Sequence, residues 1–143
     1  MGLTILHTAH ATATGGRNGH TRNSDGLVDV ELSVPKAMGG PGKPGTTTPE
    51  DLFAAGYAAC FGGAVDLVAR QQRVPAKDIT VEAAVGIGKN DAGGFGLKVD
   101  LSVRMSGVTQ EEADRLVQDA HQICPYSNAT RNNVEVGLKA VVA

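Results

Sequence analysis

Tryptophan is absent from this 143-residue sequence, and phenylalanine and tyrosine together supply only 3% of it. Aromatic rings are usually the large packing units of a core, so the interior must be built from Val, Leu, Ile and Ala lying close together. Cysteine is scarce as well. Cys60 and Cys124 are too few and too far apart for a zinc site, no Cys-x-x-Cys is present, and in a reducing compartment both are expected to rest as free thiols. Blocks of like charge are missing: the formal net charge of -2 is spread along the chain, which excludes the basic footprint of a nucleic-acid binder. Met1 to His10 lacks a charged region followed by an apolar one, so no signal peptide is expected. The longest apolar stretch, Leu52 to Val68, is rich in Ala and Gly and contains Asp66, a poor composition for a bilayer span. Repeats, linkers and low-complexity tails are absent. The expectation is a cytoplasmic chain with neither nucleic acid nor membrane as partner.

Glycine is abundant, at 19 residues, about twice its usual share. Many glycines and few rings suit elements whose backbones approach closely, or a chain that borrows burial from a partner. The length is that of one domain, 1–143, able to bury roughly 68% of its unfolded surface.

Hydrophobic periodicity gives the elements. Val28, Val30, Leu32 and Val34 alternate with polar residues, which predicts a strand over 27–34. One or two earlier strands are expected within 3–13, ended by the turn Gly15-Gly16-Arg17-Asn18-Gly19. A Pro- and Gly-rich loop covers 35–47. Thr48-Pro49-Glu50-Asp51 then opens a helix, with a capping threonine, proline at the first position and acids at the positive end of the dipole. The helix should run from Pro49 to about Gln72, its first half apolar nearly all round and so buried on most sides. Alternating strands are predicted over 79–87 and 95–105, joined by the hairpin loop Asn90-Asp91-Ala92-Gly93-Gly94. Thr109 with Glu112 forms a capping box for a second helix, which Pro125 should end near Cys124. A last strand alternates through Val134, Val136, Leu138, Ala140 and Val142. The order of elements is that of an α+β domain with mainly antiparallel sheets.

Nine residues invite a chemical reading, and each has a plain one. Cys60 lies inside the apolar helix, where a free cysteine is commonly a small buried hydrophobe with a raised pKa; local context favours that reading unless a positive group reaches the thiol. Cys124 ends a helix, and the partial negative charge there disfavours its thiolate. If the two act together, Cys60 attacks and Cys124 resolves. Arg17 in its glycine-flanked turn reads as a solvated charge, and Glu50 as an acid placed well for the helix dipole. Asp66 is expected at a solvated or interfacial position. His7, His10, His20 and His121 show no metal spacing and read as surface or strand residues.

Two long motifs change the balance. Thr48-Pro49-Glu50-Asp51-Leu52-Phe53-Ala54-Ala55-Gly56-Tyr57-Ala58-Ala59-Cys60-Phe61 and Cys124-Pro125-Tyr126-Ser127-Asn128-Ala129-Thr130-Arg131 resemble the signatures of the organic hydroperoxide resistance proteins, within the wider group of osmotically inducible thiol peroxidases. The turn around Arg17 resembles that family's arginine turn, and the likeness covers essentially the whole chain. The resemblance implies mainly antiparallel sheets around a long central helix and a second helix, in an intertwined homodimer with active sites at the subunit interface. It implies Cys60 as the peroxidatic thiol, Cys124 as the resolving thiol, and Arg17 with Glu50 as the activating pair. A Cys60 sulfenic acid would pass to a Cys60–Cys124 disulfide, reduced by a dithiol that the family analogy makes dihydrolipoamide on lipoylated proteins. No metal, haem or flavin is implied.

Physical chemistry adds constraints to that expectation. A thiol of pKa about 8.5 is only roughly 3% thiolate at pH 7, and a guanidinium keeps its charge when partly buried. Glu50 left beside Cys60 would oppose the thiolate, so its place is to orient Arg17, by an expected bidentate contact. Ten residues of straight helix separate Glu50 from Cys60 by about 15 Å. Unless the helix bends or Glu50 leaves it, the Glu50 serving a given Cys60 is therefore expected from the partner subunit, while Arg17 is left open between the two chains. Leu52, Phe53, Tyr57, Phe61, Ile123 and Tyr126 are the expected substrate-binding walls. Apolar walls favour alkyl or lipid hydroperoxides over hydrogen peroxide. Competing expectations are an osmotically induced sibling peroxidase, a thiol redox sensor without turnover, and a structural protein with two incidental thiols.

Overall fold

The computed structural model describes residues 2–143, and its contacts group into two compact units, Met1–Leu52 and Phe53–Ala143. The first unit holds a small antiparallel sheet of β1 (Ala11–Thr14), β2 (His20–Asn23) and β3 (Asp29–Glu31), in the order β1-β2-β3. The strand expected over 27–34 is shorter than its alternation suggests. Beyond Glu31 only Leu32 continues the pattern, bridging in parallel to Thr47. Of the one or two strands expected within 3–13 only β1 forms, at its end, and residues 3–10 carry no regular element; β2 lies beyond the turn in residues too polar to show a strand period. Between β1 and β2 a 3₁₀ turn covers Gly16–Asn18. Gly19 closes it so tightly that a Cβ there would lie 1.7 Å from the Thr14 carbonyl oxygen, so no side chain fits.

Helix α1 runs unbroken from Pro49 to Gln72, as its start signal predicts. The Thr48 hydroxyl accepts from the Asp51 amide at 3.1 Å, and the Asp51 carboxylate accepts from the Thr48 amide at 3.2 Å. That is a reciprocal capping box with aspartate in the third position. Asp66 is exposed and pairs with Arg70 one turn on at 3.1 Å, a solvated position.

In the second unit β4 (Lys77–Lys89) and β5 (Phe95–Ser106) form a long hairpin through the predicted loop. The chain then passes through α2 (Gln110–Ile123) and α3 (Pro125–Thr130) to β6 (Glu135–Val142). Thr109 and Glu112 form both halves of their capping box. A helix-containing crossover returns the chain to the starting end of β5, so β6 pairs with β5 in parallel. The fold is α+β with one antiparallel and one mixed sheet.

The core lies on one face of the β4-β5-β6 sheet. Val99, Leu101, Val103 and Met105 of β5 are buried against Tyr57, Phe61, Ala64, Val65, Val68 and Ala69 of α1 and Ala113, Leu116, Val117 and Ala120 of α2. The α1 residues follow a single helical stripe. The expectation that its first half is buried on most sides fails: Ala55 and Ala59 are exposed and Tyr57 alone is buried there, because one sheet and one neighbouring helix cover one side only. By length and composition α1 also qualifies as a candidate membrane span, so Asp66 and the glycines do not by themselves exclude one. Its buried stripe packs on the sheet instead.

Candidate active site

Cys60 sits in the middle of α1, half-buried, and Cys124 stands where α2 gives way to α3, fully buried. Their sulfurs lie 3.4 Å apart although 64 residues separate them in sequence. Both are free thiols. Closing to a disulfide, with sulfurs about 2.05 Å apart, needs a movement of little more than an ångström.

Cys124 has φ -62° and ψ 124°, extended backbone between two helices. Pro125 at the first position of α3 imposes this, as it ends α2. The six-residue α3 was invisible to periodicity, since Ser, Asn and Thr are poor helix formers. Its existence weakens the dipole argument for Cys124, which now lies between one helix end of each sign. Exposure separates the two thiols instead: Cys60 is reachable and Cys124 is not.

The groups acting on Cys60 within its own unit do not activate it. Burial pushes its thiol above the ordinary cysteine value, the Tyr126 main-chain amide pulls it down, and the neighbouring Cys124 thiol pushes it up again. None of them supplies a positive charge.

Four of the five phenylalanine and tyrosine residues gather at this place. Phe53, Tyr57 and Phe61 follow one another at four-residue spacing on α1, with neighbouring ring centroids 6.1 and 6.4 Å apart. Tyr126 joins them, 5.7 Å from the Tyr57 ring and 6.2 Å from that of Phe53. The Tyr126 ring lies across Gly56, where a Cβ would come within 3.2 Å of its hydroxyl.

In the first unit Arg17 and Glu50 form an ion pair within one chain, with Arg17 Nη1 at 2.7 Å from Oε1 and 2.9 Å from Oε2. One nitrogen faces both oxygens, so the contact is not the parallel two-nitrogen fork expected from the sequence. The rest of the guanidinium stays free to donate elsewhere. Glu50 is largely buried while Arg17 is 40% exposed.

The comparisons with known proteins agree with one another. Residues 40–139 match the family model described as OsmC-like protein. The organic hydroperoxide resistance protein of Xanthomonas axonopodis pv. citri is 50% identical over 135 residues, covering 94% of each chain. The chain belongs to the organic hydroperoxide resistance group of the OsmC-like family. Solved relatives share its fold. The organic hydroperoxide resistance protein of Elizabethkingia anophelis, crystallised with thiocyanate, superposes with a TM-score of 0.93 at 48% identity, covering 99% of this chain and 100% of that one. A putative organic hydroperoxide resistance protein from Vibrio cholerae, with captopril in one of its active sites, has a TM-score of 0.90 at 46% identity, covering 98% of this chain and 95% of that one.

Within this OsmC-like chain the expected wall residues divide. Tyr126 and Ile123 are exposed and Leu52 and Phe53 half-exposed, so each can meet a ligand. Tyr57 and Phe61 are fully buried. They cannot line a surface and instead form packing beneath it, because the buried stripe of α1 runs through them.

The sequence assigns no role to Ser127 or Thr130 and does not link them to Tyr57 and His121. Ser127 Oγ lies 2.8 Å from the Tyr57 hydroxyl and 2.8 Å from His121 Nδ1, and Thr130 Oγ1 lies 3.2 Å from the same tyrosine oxygen. His121 is therefore neither a surface nor a strand residue. It is half-buried in the last turn of α2, its imidazole held below the ordinary histidine value by burial and then by the Arg131 charge. The spacings Tyr57-x-x-Cys60 and His121-x-x-Cys124-x-x-Ser127 were the available signal. His7 and His10 are exposed, and His20 pairs with Asp29 across β2 and β3.

Proposed function

We propose that the chain, acting as one functional domain over 1–143, is a dithiol peroxidase that reduces organic hydroperoxides. The observation that carries this is the contact between an accessible thiol and a buried one, 3.4 Å apart and distant in sequence. The Cys60 thiolate attacks the outer peroxide oxygen. The O–O bond breaks, the alkoxide takes a proton and leaves as alcohol, and Cys60 becomes a sulfenic acid. The Cys124 thiolate then attacks the Cys60 sulfur. Hydroxide leaves, takes a proton to become water, and a disulfide remains. An external dithiol such as dihydrolipoamide, free or on a lipoylated protein, donates two electrons and two protons to restore both thiols and is itself oxidised to its disulfide. The names of the relatives support the substrate class. The step sequence rests on the chemistry of the pair, needs no metal or prosthetic group, and suits a reducing cytoplasm.

Activation is assigned to Arg17, oriented by Glu50, from a second copy of the chain. Three features support a homodimer. Leu3, Ile5 and Leu6 lie in an N-terminal stretch without secondary structure at 88%, 67% and 94% exposure, an apolar segment with nothing to cover it. Ala55, Ala59 and Gly63 leave one face of α1 small and uncovered. The helical spacing between Glu50 and Cys60 also argues against both serving one site within one chain.

The apolar surroundings at Phe53, Ile123 and Tyr126 favour a substrate with a tail, since each buried methylene contributes about 0.8 kcal/mol. With dithiol supplied, kcat/KM for cumene hydroperoxide is expected to exceed that for hydrogen peroxide by roughly a hundredfold or more, the worth of four or so methylenes. Steady-state assays of both peroxides check this. Equal values would count against the apolar site, and a single stoichiometric oxidation without turnover would favour a redox sensor.

A further inference from the structure

We infer that the Ser127 hydroxyl is a positioning hub that holds the two cysteine-bearing segments in register for the resolving step, with Tyr57 and His121 as its arms. The inference rests on the dithiol reading above and concerns residues that reading leaves without a role.

Cys124 sits on a corner with extended backbone between α2 and α3. Such a corner can hinge, and hinging would separate the sulfurs. His121 lies three residues before it and Ser127 three residues after, and their side chains meet at 2.8 Å. The bond closes a small ring across the corner. A second brace runs the same way, from Arg131 Nη2 to the His121 carbonyl oxygen. From Ser127 the network continues to Tyr57 at 2.8 Å, and Tyr57 stands three residues before Cys60 on α1. One hydroxyl thus links the segment carrying each thiol. Tyr57 and Ser127 are both fully buried, where a hydrogen bond meets no competition from water and an unpaired hydroxyl is costly.

Counting protons fixes the direction of the network. Thr130 Oγ1 donates to the Ser127 carbonyl oxygen at 3.2 Å. Its remaining capacity is to accept, so the Tyr57 hydroxyl donates to it at 3.2 Å. The Ser127 hydroxyl then donates to the Tyr57 oxygen, and Ser127 Oγ accepts from His121 Nδ1. His121 therefore carries its proton on Nδ1. What the hub requires of position 121 is a donor at that place, not an ionisable group.

The consequence is a split between the two chemical steps. Peroxide attack involves Cys60 alone, whereas disulfide closure needs Cys124 held against it. The test is rapid acid quench of reduced protein mixed with cumene hydroperoxide, with Cys60 oxidation and disulfide formation followed separately by mass spectrometry. In Ser127→Ala, disulfide closure is expected to slow by roughly tenfold or more, the scale on which misplaced reacting groups lose rate. Cys60 oxidation should change far less, and Cys60 sulfinic acid should appear at lower peroxide concentration than in wild type. Tyr57→Phe keeps the ring and removes only the hydroxyl, so it should show the same split without a cavity. His121→Asn, whose amide nitrogen can donate where Nδ1 does, should close the disulfide faster than His121→Ala. Wild-type closure rates in both Ser127→Ala and Tyr57→Phe would overturn the inference, as would equal slowing of both steps in Tyr57→Phe. A wild-type protein that forms no disulfide would instead remove the dithiol reading itself, so the two failures are distinct.

Discussion

Cys60→Ser is expected to lower alkyl hydroperoxide turnover by about a thousandfold or more, as loss of an essential nucleophile does. A serine hydroxyl neither ionises near neutral pH nor forms the sulfenic acid on which the cycle depends. Cys124 cannot substitute, because it is fully buried at the α2–α3 corner and a peroxide does not reach it. The measurement is steady-state consumption of cumene hydroperoxide with a dithiol present. Retention of a tenth or more of the wild-type rate would show that another group attacks the peroxide. Since Cys60 is only half-buried, its conservative replacement should leave the fold intact, which circular dichroism checks.

The second large effect concerns Arg17. Within its own unit Cys60 is held protonated at neutral pH, chiefly by burial and only partly offset by the Tyr126 amide. Thiolate is the charged form, so a nearby cation lowers the pKa and removal of that cation raises it. Arg17→Met is therefore expected to slow Cys60 oxidation at pH 7 by about tenfold or more, because less of the thiol is ionised once the neighbouring cation is gone. The rate of the variant should keep rising with pH beyond the point where the wild type has levelled. Stopped-flow oxidation across pH 5 to about 10 reads both effects. An unchanged profile would deny Arg17 this role.

Mixing experiments then decide which chain Arg17 serves. In the proposed homodimer, the Cys60→Ser and Arg17→Met proteins are each expected to be inactive or nearly so. If Arg17 acts on the partner, a mixed dimer joins the intact Arg17 of one copy to the intact Cys60 of the other. Random exchange of equal amounts gives half mixed dimers, each with one of two sites whole, so about a quarter of wild-type activity should return. If Arg17 acts within its own chain, mixed dimers hold no whole site and nothing returns. Because Arg17 and Glu50 pair within one chain at 2.7 Å, Glu50 must travel with Arg17 in either case.

The elements with strong local signals were readable in the sequence. The Thr48 and Thr109 caps mark the starts of α1 and α2, and clean alternation marks β4, β5 and β6. What failed has physical causes. Strand β2 is polar on both faces, α3 is too short for a period, and strand direction in β6 depends on a crossover that no local pattern encodes. In the site, the motifs singled out Cys60, Cys124, Arg17 and Glu50, but no spacing could place two sulfurs 3.4 Å apart across 64 residues. Tyr57 and Phe61 read as walls because α1 is apolar nearly all round, and its buried face is set by the sheet beneath it. Ser127 draws no reading and His121 reads as a surface or strand residue, because a lone hydroxyl and a lone imidazole carry no pattern until α1, α2 and α3 bring them together.

The most direct test of the dithiol pair is peptide mapping by mass spectrometry after the reduced protein meets a small excess of cumene hydroperoxide. The wild type should yield a Cys60–Cys124 disulfide within a single chain, and Cys124→Ser should yield Cys60 oxidised past the sulfenic acid, since nothing intercepts it. Two thiols still free after the peroxide has been consumed, or a Cys60→Ser protein that consumes it as fast as the wild type, would contradict the account.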